Sequence, residues 1–76
     1  MKINFKNINW LGGNILPKRL VCSAKIRSTQ NEISGKLKII DDGGYFLFDE
    51  LISDTSPGQA CVFYKKDQVL GGGWIT

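Results

Sequence analysis

The stretch that most restricts the fold is the end of the chain, residues 55–76, which reads T-S-P-G-Q-A-C-V-F-Y-K-K-D-Q-V-L-G-G-G-W-I-T. Pro57-Gly58 opens a turn, residues 59–64 form an apolar strand, Lys66-Asp67 reverse the chain, and residues 69–75 return as a second strand rich in glycine. Two adjacent apolar strands must be covered on both faces or paired along both edges. The residues upstream are therefore expected to supply the sheet that wraps around this hairpin.

The upstream sequence fits that role. Residues 2–8 alternate, with Ile3, Phe5 and Ile8 on one side and Lys2, Asn4 and Lys6 on the other, which is the pattern of a half-buried strand. Gly12-Gly13-Asn14 then marks a turn and Pro17 blocks a helix. Residues 20–27 are a second strand, with Leu20, Cys22, Ala24 and Ile26 facing one way and Ser23, Lys25 and Arg27 the other; residues 28–32 are a polar connection of hairpin length. Residues 33–40 place Ile33, Gly35, Leu37 and Ile39 opposite Ser34, Lys36 and Lys38. In Asp41-Asp42-Gly43-Gly44 the glycines are expected to supply the conformations of a two-residue hairpin loop. Residues 45–48 are wholly apolar, which predicts burial on both sides or a barrel corner. Residues 49–56 are acidic and irregular.

No window shows helical periodicity, and there is no internal repeat. The fold class predicted is all-β: a small six-stranded antiparallel β-barrel formed by residues 1–76 as one domain, because closure removes edges that so small an open sheet could not protect. At 76 residues the core is small, which argues against a complete enzyme with its own substrate cleft. With 42% hydrophobic and 22% charged residues the composition is that of a soluble globular chain, with no apolar run long enough to span a membrane. No signal peptide is evident in M-K-I-N-F-K-N-I. Cys22 and Cys61 permit one disulfide by counting, but burial as free thiols is favoured.

Charge is unevenly spread. Residues 1–38 hold eight of the ten Lys and Arg against Glu32 alone, while residues 39–76 hold two lysines and six carboxylates, so the halves carry +7 and −4 of the net +3. If the second and third strands pair, alternation gathers Lys25, Arg27, Lys36 and Lys38 on one surface, with Lys18 and Arg19 at its approach. Like charges side by side repel, and a phosphate-bearing partner would relieve that repulsion. The competing reading, of equal weight on pattern alone, is a solvated lysine face that maintains solubility.

Other candidate sites are weaker. Phe5, Tyr45, Phe46, Phe48, Phe63 and Tyr64 lie in apolar strands and read as core rather than as base-stacking groups. Trp10 and Trp74 are expected to show an exposed edge. Gly71-Gly72-Gly73 lacks the lysine, hydroxyl residue and following helix of a phosphate-binding loop, and reads instead as a bulge or close backbone approach. The absence of histidine excludes ordinary Ser-His and Cys-His nucleophile pairs, and the two cysteines lack metal-ligand spacing. Asp41, Asp42, Asp49, Glu50 and Asp54 cluster in turns and read as solvated.

A family resemblance adds to this. Asn9-Trp10, Ala24-Lys25-Ile26-Arg27 with Gln30, Phe48, Pro57-Gly58-Gln59-Ala60 with Val62-Phe63-Tyr64, and Val69-Leu70-Gly71-Gly72-Gly73 with Ile75 resemble the C-terminal domain of bacterial tRNA-specific 2-thiouridylases. The resemblance implies a barrel similar to the second domain of translation elongation factors that helps hold tRNA. Joined to the charge pattern, it makes Lys18, Arg19, Lys25, Arg27, Gln30, Lys36 and Lys38 the candidate nucleic-acid-binding residues, with Lys25, Arg27, Lys36 and Lys38 on phosphate and Gln30 at the loop. It implies a cytoplasmic parent enzyme with a catalytic ATP-pyrophosphatase domain that uses ATP with magnesium and a persulfide from a sulfur-donor protein. By this resemblance the present chain is a non-catalytic fragment without a cofactor of its own; Cys22 and Cys61 match no catalytic position. Ser28 and Thr29 stand where the family commonly has an aromatic and a basic residue, removing a stacking side chain and a charge. The alternatives are a scaffold packing on the catalytic domain, with Trp10 and Trp74 at the interface, or a free-standing nucleic-acid-binding barrel.

Overall fold

A computed structural model describes residues 1–26, 31–52 and 55–76. Its strands are β1 (Lys2–Trp10), β2 (Arg19–Lys25), β3 (Ile33–Ile40), β4 (Gly43–Phe48), β5 (Ala60–Lys65) and β6 (Gln68–Ile75). All pairings are antiparallel and the sheet closes in the order β1-β4-β3-β2-β5-β6. The predicted six-stranded barrel is thus the observed fold. The terminal hairpin β5–β6 is paired along both edges, by β2 on one side and β1 on the other. The connection at residues 28–32 lies mostly outside the described residues.

Alternation along each strand fills the interior. Phe46 and Phe63 are fully buried, with Phe5, Leu37, Phe48, Ala24 and Ile75 around them. The Phe46 and Phe63 rings stack at 5.7 Å, Phe5 meets Phe63 at 5.1 Å, and Phe48 meets Phe46 edge-on at 4.6 Å. Aromatic pairs in such geometries contribute about 0.5–1.5 kcal/mol each beyond their area burial. Ile52 joins this core from the segment read as irregular, and its N–H donates to the Met1 sulfur at 3.2 Å. Burial of one residue of the Leu51-Ile52 pair, with Leu51 left exposed, has no periodic signal, so the sequence concealed it.

Closure depends on two irregularities. Between Lys6 and Asn9 the β1–β6 register slips by one, with Asn7 at φ 54°; between Phe63 and Tyr64 the β5–β6 register slips again, leaving Leu70 as the extra residue beside Gly71. Bulges of this kind bend and twist a strand. Gly71 has φ 153°, and a Cβ there would collide with the Asn9 carbonyl, so the close approach expected of the glycine run is present.

The structure corrects two local expectations. The β3–β4 loop is Asp41-Asp42, with Asp41 at φ 53°, and Ile40 already pairs with Gly43. The glycines therefore lie within β4 rather than forming the turn. Residues 45–48 are not buried on both sides: Phe46 and Phe48 point inward, while Tyr45 is half-buried and Leu47 exposed on the outside. In a single-layer barrel no second sheet covers the outer face, so even an apolar strand is buried on one side only.

Gly35 on β3 is held in a tight inward contact. A Cβ there would collide with the Leu47 carbonyl and stand 2.5 Å from the Phe46 ring. Gly35→Ala is expected to cost at least the roughly 1–3 kcal/mol typical of overpacked cores, read as a lower urea midpoint with an unchanged m-value.

Candidate nucleic-acid interface

Register across the closed sheet assembles two rows of outward side chains. The first runs Arg19 (β2), Lys38 (β3), Tyr45 (β4), Asn4 (β1); the second runs Val21, Lys36, Leu47, Lys2 over the same strands. Arg19, Lys36 and Lys2 are exposed and Lys38 is half-buried. The Lys2 ammonium stands 5.0 Å from the Tyr45 ring centroid, within cation–π range. Arg19, Val21, Lys36, Lys38, Tyr45 and Leu47 line a shallow groove of about 470 Å³.

Directly opposed residues on antiparallel strands hold their Cβ atoms about 4.5–5.5 Å apart, so the Arg19–Lys38 pair is repulsive. Among the described residues no carboxylate is paired with Lys2, Arg19, Lys36 or Lys38. The nearest acids in sequence, Asp41, Asp42 and Asp49, lie beyond the ends of β3 and β4. The face therefore presents an uncompensated positive potential over a partly apolar floor.

Of the sequence-predicted residues, the fold brings together Arg19, Lys36 and Lys38. Arg19, expected only at the approach, is central, since it sits opposite Lys38. Lys25 is at the far end of β2, beyond the Ser23–Ser34 pair and beside Val62 of β5, roughly 20 Å from Arg19 at about 3.3 Å per residue. It is thus not part of the cluster. Lys18 is exposed just before β2, where its carbonyl accepts from the Ile39 N–H at 2.9 Å. Arg27 and Gln30 lie outside the described residues. Sequence reasoning missed Lys2 and Tyr45 as members of this face. Alternation already turned Lys2 outward, but only the β1–β4 neighbourhood puts it beside β3.

A second surface lies across β1, β5 and β6. Leu11, Val62, Val69 and Trp74 border a groove of about 330 Å³ floored by Gly71–Gly73. Trp74 is 49% exposed, as expected, whereas Trp10 packs against the core with its indole Nε1 enclosed and unpartnered.

Cys22 and Cys61 are free and buried. Burial pushes the Cys22 thiol up to about 11, opposed by Lys65, and pushes Cys61 up to about 12, reinforced by Cys22. Both are protonated at neutral pH and are poor nucleophiles.

This is a closed six-stranded barrel with one basic, partly apolar outer face. Comparison with known sequences places it. The aminomethyltransferase beta-barrel domain matches residues 1–75, and the chain belongs to that family. It is 44% identical over 72 residues to the tRNA-specific 2-thiouridylase MnmA of Orientia tsutsugamushi, covering 92% of the chain and 20% of that protein. It is 38% identical over 76 residues to MnmA of Paramagnetospirillum magneticum (99% of the chain, 20% of that protein). MnmA of Rickettsia felis is 44% identical over 75 residues (93% and 20%). The chain thus spans about a fifth of the length of these relatives, and the part matched is their C-terminal domain. Among the described residues no helix is long and apolar enough to cross a membrane.

The thiols set a pH dependence. Their folded pKa values lie above the ordinary 9.0, so the folded state holds protons that the unfolded chain releases. The associated stability is complete below about pH 9 and is lost as pH rises through 11 to 12. Urea midpoints above pH 9 are expected to fall less steeply in the Cys22→Ala/Cys61→Ala variant than in the unaltered chain.

Proposed function

We propose that this chain is the tRNA-contacting barrel of a tRNA-specific 2-thiouridylase. The observation that carries the reading is the uncompensated row pair of Arg19, Lys38, Lys36 and Lys2, because cations on an exposed sheet neutralise phosphates and release counterions. The relatives' name supplies the substrate class. In the whole enzyme the wobble uridine of certain tRNAs would be activated with ATP and magnesium and would receive sulfur from a persulfide delivered by a donor protein, in the cytoplasm.

The residues present do not fit a triphosphate site. Gly71–Gly73 lie within β6, and a Cβ at Gly73 would press on the Phe5 ring. No chemical step is assigned to this chain; its contribution is to hold and orient RNA for a catalytic domain elsewhere in the parent protein.

The Trp74 groove favours an additional role. Exposed Trp74, Leu11 and Val69 are apolar and uncharged, suited to packing on another domain of a longer chain. That scaffold role is compatible with RNA contact on the opposite side of the barrel.

Backbone amide NMR shifts on addition of tRNA test the reading. Shifts are expected at Arg19, Val21, Lys36 and Lys38, reduced at least several-fold in affinity by Lys36→Gln/Lys38→Gln. Equal affinity in that variant would leave the basic face as a solvated surface only.

A further inference from the structure

We propose that the outer face of β4 is a stacking platform for one unpaired nucleotide, with the Tyr45 ring beneath the base and Lys38 and Arg19 at the adjoining phosphate. The inference rests on the tRNA-contact reading and names what that site recognises: single-stranded RNA, not duplex.

Three observations carry it. Tyr45 lies on the outside of the barrel in the same cross-strand row as Lys38 and Arg19. Strands stand about 4.8 Å apart, so Lys38 is one strand from the ring and Arg19 two, a span that matches one nucleotide from base to phosphate. Along β4, Leu47 follows Tyr45 by two residues on the same outward face, and in the Leu47 row Val21 is 66% exposed beyond Lys36, so apolar surface continues from the ring. Duplex phosphates gain nothing from an apolar floor, because paired bases hide their faces in the helix. An unpaired base offers a π-face that any aromatic side chain can take. Finally, the Lys2 ammonium is already over the Tyr45 ring. It marks an electron-rich ring face that Lys2 covers in the free chain, and its flexible stem lets it move aside to a phosphate so that a base takes its place.

Surface aromatics on strands also occur as simple cross-strand packing, in which case Tyr45 would only cover β4. The two roles differ in what they predict for RNA. The test titrates the chain with a short single-stranded RNA and with the same RNA annealed to its complement, following the Tyr45 ring protons and the affinity.

Expected are an upfield shift of the Tyr45 ring protons with the single strand alone, a roughly ten-fold loss of single-strand affinity in Tyr45→Ala, near-full affinity in Tyr45→Phe, and duplex affinity unchanged by either substitution. Unmoved ring protons in the unaltered chain at saturating single strand would overturn the proposal without relying on any variant. Weakening by Lys36→Gln/Lys38→Gln with no effect of Tyr45→Ala would also overturn it while leaving the tRNA-contact reading in place. No effect of the lysine pair would instead remove that reading itself.

Discussion

Everything in this barrel depends on closing a single sheet around four phenylalanines. Phe46 and Phe63 stack at the centre, with Phe5 and Phe48 against them, and among the described residues no second layer buries the other side. The inner face supplies most of the apolar burial, with Ile26 and Ile52 added from outside the strands. The bulge at Asn7 and the slip at Leu70–Gly71 bend the strands enough for β1 and β6 to meet. The outer face is thereby left open for other work, and its composition is not dictated by the core.

That freedom explains the distribution of charge. On β2 and β3 the inward positions Cys22, Ala24, Leu37 and Ile39 are buried, and the outward ones hold Arg19, Lys36 and Lys38. Closure then carries the same face across β4 to β1, adding Tyr45, Leu47 and Lys2. A purely solvated surface would not be expected to combine repelling cations with an apolar, aromatic floor, whereas an RNA-contacting surface uses both. The free thiols take no part, because burial holds them protonated.

Most of the architecture was legible in the sequence because period-two alternation and turn residues mark strands directly. Residues 33–40 and the Lys66-Asp67 reversal were read at their observed places, and the family resemblance through P-G-Q-A and L-G-G-G agrees with the match over residues 1–75. What escaped was whatever depends on strand order or register. Alternation showed that Lys25 points outward but not that the register sets it near β5, away from Lys36. The same limit hid Tyr45, since an aromatic in an apolar run is indistinguishable from core until the layer count is known. Ile52 was hidden for the converse reason, as an isolated buried residue in an acidic segment.

The central claim is that the Arg19–Lys38–Lys36–Lys2 face neutralises RNA phosphates. Its most direct test is the dependence of tRNA affinity on salt. Four phosphate contacts predict a slope of log K against log salt of about −3; a slope near zero would contradict the account.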